Sequence, residues 1–68
     1  MLAGEDRREL LAAVDALPRR QREVLALKYF LDLGEQDIAA ILGISRGAVA
    51  STGSRALSAL ARRLGEES

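Results

Sequence analysis

Apolar residues recur at the three- and four-residue spacing of amphipathic helices in four stretches of the chain. The first predicted helix runs from about Glu5 to Ala16. Two acidic residues lie in its first turn, where their negative charge interacts favourably with the helix dipole. The second begins at Pro18, because a first helical position tolerates proline, and ends before the break at residues 32–34. The apolar stripe of the first helix consists of Leu10, Leu11, Val14 and Leu17. The residues that continue the second helix are Val24, Leu25, Leu27, Lys28, Tyr29 and Leu31.

The second half of the chain predicts a short helix, a tight turn and a long helix. The third helix spans about Glu35 to Leu42 and ends at Gly43, a residue suited to the left-handed conformation. Ser45 is a natural N-cap for a fourth helix from about Arg46 to Leu64. Its predicted inward seam is Val49, Ala56, Leu57, Leu60 and Leu64.

The spacing around that turn is typical of a helix-turn-helix. Ala39 gives the small side chain needed where two helices cross closely, and Ile44 fills the corner. Val49 docks the later helix against Ile38 and Leu42. We therefore predict one all-α, four-helix domain over residues 1–68 with a C-terminal helix-turn-helix, similar to a winged helix without the wing. A plain helical hairpin with no DNA-binding role has the same outline, and this alternative stays open.

The outer side of the fourth helix would then carry the chemistry. Arginine can bond guanine or clamp a phosphate, serine can bond either kind of acceptor, and glycine lets a backbone approach closely. The candidates on this face are Arg46, Gly47, Ala50, Ser51, Ser54 and Arg55, followed by Arg62 and Arg63 as phosphate contacts. Arg20 or Arg22 could contact the backbone across the groove, whereas a solvated helix end is the competing interpretation of Arg62 and Arg63.

Two further positions matter for this helix and its neighbour. Gly53 lies inside the fourth helix, where glycine costs about 1 kcal/mol relative to alanine unless a neighbouring backbone packs closely. Tyr29 and Phe30 are predicted to pack in the core and at its edge rather than to stack on bases.

Composition and charge narrow the function classes. The 68 residues include no Cys and no His, so disulfides, thiolate and imidazole catalysis and the usual zinc ligands are excluded. Net charge is zero, which gives no support for a polyanion partner, yet residues 38–65 contain four arginines and no acid. No nucleophile with a base, paired carboxylates or phosphate-cradling loop is evident, so we expect neither an enzyme, a cofactor nor a metal site.

The N-terminus has no signal-peptide pattern, and no apolar run reaches the roughly 20 residues that span a bilayer. We therefore expect no membrane association and a cytoplasmic location.

Four segments together carry a family resemblance: LPRRQREVL at residues 17–25, LKYFLDL at 27–33, IAAILGIS at 38–45 and GAV at 47–49. In this order they resemble region 4 of bacterial sigma factors of the extracytoplasmic-function group. The segment STGSRAL at residues 51–57 is similar to the actinobacterial kind. The resemblance covers about Glu5 to Leu64, nearly the whole chain.

The resemblance implies a domain whose last helix binds the minus-35 promoter element during transcription initiation. It also implies that the domain contacts the flap of the RNA polymerase β subunit and that anti-sigma factors bind it. The DNA-facing residues carried over are Arg46, Gly47, Ser51, Ser54 and Arg55. The alternative function is a protein-interaction module of the same fold, bound by an anti-sigma factor or by RNA polymerase rather than by DNA.

This sequence departs from the family pattern at two positions. Ala50 stands where the family usually has Lys or Arg, and Ala48 where it has Thr. The lost phosphate contact at Ala50 should lower the salt-dependent part of DNA affinity. The promoter-melting and core-binding regions of a whole sigma factor are not in this sequence, so we expect an excised fragment, a piece of a fusion or a stand-alone relative. The linker-like start at residues 1–4 favours an excised fragment.

Overall fold

The computed structural model describes the backbone of residues 4–67 and the side chains of residues 4–65. Within that range the chain forms helices α1 (Gly4–Asp15), α2 (Arg19–Leu25), α3 (Glu35–Leu42) and α4 (Arg46–Glu67), with a π-helical segment (Ala26–Phe30) continuing α2. The described part of the chain contains no strand, so the predicted all-α, four-helix architecture is confirmed. Leu2 and Ala3 of the predicted linker-like start lie outside the described residues, and Gly4 belongs to α1.

Among residues 4–65, the interior consists of two apolar clusters that share α4. The first cluster, the α1 cluster, joins the end of α1 to α2 and the second half of α4. It comprises Ala13, Leu17, Leu25, Ala56 and Leu60. The second, the turn cluster, joins α2, α3 and the first half of α4, and comprises Val24, Ile38, Ala39 and Val49. Burial of such aliphatic side chains is the main force holding a domain of this size together.

The seam of α4 differs from the predicted one at two positions. Leu57 is 45% exposed, because it follows Ala56 directly and a helix turns about 100° per residue. Gly53 is buried instead, so the seam runs through Val49, Gly53, Ala56 and Leu60 at spacings of four, three and four. Leu64, four residues farther on, is half-buried and packs against the same core, as predicted. A Cβ at Gly53 would lie 3.6 Å from Val24 Cγ1, so this glycine packs against a side chain and not against a neighbouring backbone.

The start of α2 corrects a second prediction. Pro18 has φ −53° and ψ 148°, which places it before the helix as the N-cap rather than within the first turn. The Arg22 N–H donates to the Pro18 carbonyl over 3.0 Å, so α2 begins at Arg19. Arg22 also fixes the preceding turn, because its Nη1 donates to the Asp15 carbonyl over 3.2 Å and lies 3.9 Å from the Asp15 carboxylate.

The π-helical segment changes which side chains face inward after Leu27. The Leu31 N–H donates to the Ala26 carbonyl over 3.2 Å, so the turn holds one residue more than an α-helical turn. Asp32 then adopts φ 55°, a left-handed conformation that aspartate tolerates better than most residues. The expectation of core packing for Tyr29 and Phe30 is wrong: they are 56% and 66% exposed, since a period of 3.6 no longer applies in the wider turn.

Candidate nucleic-acid interface

The turn between α3 and α4 is held by backbone geometry that the sequence dictates. Gly43 has φ 69° and ψ 34°, the left-handed conformation that glycine adopts without strain. The N–H groups of Gly43 and Ile44 both donate to the Ala39 carbonyl, over 2.9 and 3.1 Å, which ends α3. Ser45 Oγ accepts a 3.0 Å hydrogen bond from the Ala48 N–H and caps α4 as predicted.

The turn cluster fixes the angle between the two helices. Ile38 and Val49 are 0% and 1% exposed, and Ala39 between them is 9% exposed. Leu42 packs against the same cluster, as predicted for the docking of Val49. Ile44 also packs there but stays half-buried, so it closes the edge of the cluster rather than being buried in it.

The first half of α4 exposes the side chains that the sequence singled out. The residues of this half that are exposed to solvent are Arg46, Gly47, Ala50, Ser51, Ser54 and Arg55. Val49 and Gly53 on the same stretch are buried, so one side of the helix is docked and the other is open. Arg62 is exposed too, but it follows Arg55 by two helical turns, roughly 10 Å along the axis.

Hydrogen bonding and charge define what this open face can bind. Ser51 Oγ donates to the Ala48 carbonyl over 3.3 Å, so its oxygen lone pairs stay available to a donor. Among the described side chains, neither Arg46 nor Arg55 forms an ion pair. Since residues 38–65 contain no carboxylate, the face is electropositive although the chain as a whole is neutral.

The arginines of α2 have different surroundings. Arg19 pairs with Glu23 over 3.3 Å, and Arg22 is engaged with Asp15 at the preceding turn. Arg20 is exposed, and the described part of the chain offers it no ion pair. Of the two candidates for a backbone contact across the groove, Arg20 is therefore the one whose guanidinium is not already engaged.

An apolar groove on one flank of α4 was missed by the sequence reasoning. It measures about 280 Å³ and lies between α1, the π-helical segment and the second half of α4. Its lining residues are Leu10, Val14, Leu25, Tyr29, Phe30, Leu57 and Leu60. The π-helical segment and the outward-facing Leu57 both line this groove, and the π-helical turn has no signal in the 3.6-residue pattern.

No group of three or more potential metal-ligating side chains occurs among residues 4–65. No helix in the described range is long and apolar enough to cross a membrane.

Comparison with known proteins places this geometry in a family. Residues 7–60 match the family "Sigma-70, region 4". The chain is 34% identical over 68 residues to the RNA polymerase sigma factor FliA of Yersinia enterocolitica, and 32% identical over 66 residues to FliA of Salmonella typhimurium. The aligned regions cover 100% and 97% of this chain but only 30% and 28% of those relatives.

A solved structure has the same fold. A chain of the RsbN–BldN complex superposes with a TM-score of 0.82 at 32% sequence identity. The match covers 84% of this chain and 41% of that one. The helix-turn-helix geometry, the family match over residues 7–60 and the similarity of nearly the whole chain to about a third of the FliA proteins agree, and the chain therefore belongs to the sigma-70 region 4 family.

Proposed function

We propose that this chain is the promoter-binding domain of a sigma factor, which directs RNA polymerase to the minus-35 element by placing the first half of α4 in the major groove. The residues proposed to contact bases and phosphates are Arg46, Gly47, Ser51, Ser54, Arg55 and, farther along, Arg62. The observation that carries the proposal is the exposed, acid-free face opposite the buried Val49 and Gly53. The domain would span residues 1–68, work in the cytoplasm and need neither catalytic groups nor a cofactor.

Gly47 gives independent support, since folding does not require a glycine there. A Cβ at this position would meet only Ser45 Oγ, at 3.9 Å, and the residue is exposed in the first turn of α4. Glycine has a lower helix propensity than alanine, so helix formation alone does not favour it at this position. Close approach of the helix backbone to a nucleic acid would favour it.

The test begins with selection of duplexes from a random pool by the immobilised domain, followed by anisotropy titration of the enriched sequence. We expect enrichment of one short motif and an affinity that falls steeply with salt, because phosphate contacts release counterions. Arg55→Ala should weaken binding about tenfold, in the range of an arginine that contacts a base or phosphate. Arg8→Ala removes a charge that is also exposed, from α1, and should change affinity by less than about twofold.

Absence of an enriched motif, together with salt-independent binding, would contradict promoter recognition. Equal losses for Arg55→Ala and Arg8→Ala would show that only bulk charge matters, and the proposed docking of α4 would then be wrong.

The apolar groove favours a second function for the same domain, which is binding to a protein partner. Exposed Tyr29, Phe30 and Leu57 at its rim form an apolar surface of the kind that marks protein contacts. The RNA polymerase β flap and an anti-sigma factor are the partners we propose. The similar chain in the RsbN–BldN complex was solved together with another protein, which supports this use of the fold.

Phe30→Ser separates the two functions. The side chain is 66% exposed, so its replacement should leave the fold intact and the duplex affinity unchanged. Affinity for purified polymerase flap, measured by interferometry, should fall about tenfold if the groove is the docking site. Unchanged flap binding would contradict that assignment.

The narrower assignment to the extracytoplasmic-function group of actinobacterial type is also a proposal. It rests on residues 17–25, 38–45 and 51–57 of this sequence. A motif selected by the domain that matched promoters of that group would support it, and a motif of another sigma class would contradict it.

A further inference from the structure

A second concavity lies on the other flank of α4 from the apolar groove. It measures about 230 Å³ and forms where the turn between α1 and α2 meets the second half of α4. Its lining residues are Ala16, Leu17, Pro18, Ala59, Arg62 and Arg63. We call it the arginine pocket.

Charge distinguishes the arginine pocket from the apolar groove. Among the side chains of residues 4–65, two guanidinium groups line it and no carboxylate does. Of the acids whose side chains the structure describes, the nearest along the chain is Asp15, which is 86% exposed and whose carboxylate lies 3.9 Å from Arg22. Glu66 and Glu67 follow Arg62 and Arg63 by four residues and lie outside the described side chains. Among the described side chains, neither Arg62 nor Arg63 pairs with an acid.

The helical positions of the two arginines let them approach one ligand from different directions. Successive residues of an α-helix project about 100° apart, so Arg62 lies on the outer flank and Arg63 nearer to α1 and α2. Between them Ala59 leaves room, and Leu17 and Pro18 supply an apolar wall. An exposed pair of arginines on a flat helix surface would lack such a wall.

We propose that the arginine pocket binds a phosphate group. Paired guanidinium groups match the planar, bidentate geometry of phosphate oxygens, and the pocket exceeds the size of one phosphate. The group can come from the backbone of a bound nucleic acid or from a free phosphate compound such as a nucleotide. The sequence already suggests Arg62 and Arg63 as phosphate contacts, and the pocket adds Leu17, Pro18 and Ala59 as the walls of one common site.

The first arm of the test uses free phosphate and is independent of DNA binding. Orthophosphate and then pyrophosphate are titrated at constant ionic strength while the arginine Nε–Hε and backbone N–H resonances are recorded by NMR. We expect saturable shifts at Arg62, Arg63 and Ala59, and Arg62→Gln or Arg63→Gln should weaken binding about tenfold. Arg8→Gln is the matched control and should change affinity by less than about twofold.

Shifts that grow linearly and spread equally over Arg8, Arg20 and Arg46 would show general charge screening and would overturn the proposal. So would saturable shifts that persist unchanged in both Arg62→Gln and Arg63→Gln. Equal thermal midpoints of the variants and the original chain verify that both arginine replacements leave the fold intact.

The second arm assigns the source of the phosphate and uses the selected duplex. If Arg63→Gln lowers duplex affinity and pyrophosphate competes with duplex, the pocket takes a backbone phosphate. If pyrophosphate binds in the pocket while duplex affinity is unaffected by Arg63→Gln, a free phosphate compound is the ligand. A failure of promoter binding leaves the first arm intact, so the two proposals can fail separately.

Discussion

The two halves of α4 use one continuous helix in different ways. The first half, residues 46–55, docks against α3 through the turn cluster and leaves a polar, basic face open. The second half, residues 56–65, packs against α1 and has the apolar groove on one flank and the arginine pocket on the other. The helix therefore presents one convex surface suited to a groove in DNA and two concave ones suited to smaller or apolar partners.

The difference follows from what each half packs against. A helix-turn-helix holds its second helix by one narrow seam, so most of the circumference near the turn stays exposed. Farther along, α1 and the turn before α2 lie beside the helix and form walls on both flanks. The same apolar spacing thus leaves the first half of α4 largely exposed and the second half flanked by other segments on both sides.

The largest expected effect comes from removing the docking of the first half. Ile38→Ala empties a fully buried position of the turn cluster and should cost about 2–5 kcal/mol of unfolding free energy, a large part of the stability of so small a domain. Urea denaturation measures it. Ile41→Ala makes the same chemical change on α3 at a side chain 60% exposed, and should cost under about 1 kcal/mol. Similar losses for the two variants would contradict the burial described for α3.

A smaller effect is expected from the cap that starts the first half. Ser45→Ala removes the acceptor of the Ala48 N–H and should lower stability by about 1 kcal/mol. Fraying should be confined to the start of α4, which amide hydrogen exchange can resolve. Ser58→Ala on the second half is the control, since this serine is exposed, and it should be neutral within about 0.5 kcal/mol. Loss of protection near Ser58 rather than near Ser45 would be inconsistent with the capping geometry.

Gly47 and Gly53, both in α4, sharpen the comparison between fold and function. Gly53→Ala places a Cβ at an ordinary 3.6 Å contact with Val24 and should stabilise the domain by up to about 1 kcal/mol. Gly47→Ala should stabilise it similarly but weaken duplex binding, because the added methyl group occupies the face proposed to approach DNA. Thermal unfolding and anisotropy measure the two effects. If both variants bind duplex equally well, Gly47 does not serve close approach.

The smallest effect concerns the missing cation. Ala50→Lys adds a charge to the exposed first half and should raise duplex affinity by a few fold, about 0.5–1 kcal/mol, with a steeper salt dependence. Ala61→Lys adds the same charge on nearly the same stripe about three turns later. It should raise affinity less, if the first half alone enters the groove. A gain that is equal at both positions would argue against the proposed orientation.

Several elements of the fold were predictable because local chemistry decides them. The bounds of α3 and the left-handed Gly43 follow from residues that leave few conformational choices, and the Ser45 cap follows from its side-chain oxygen. Predicting the exposed face of Arg46, Ser51 and Arg55 needed only helical spacing and the docking of Val49. Their role in DNA binding stays a proposal.

Other features depended on how distant segments meet. The sequence pattern assumes 3.6 residues per turn, and the π-helical turn at Ala26–Phe30 breaks that assumption. Burial of Gly53 in the seam depends on Val24, which is 29 positions earlier in the chain. The apolar groove exists where α1 lies beside α4, and the arginine pocket where the turn after α1 does. Local propensity and periodicity thus determined the helices and the turn, whereas the concave surfaces were decided by tertiary packing, because a cavity is a property of the space between segments.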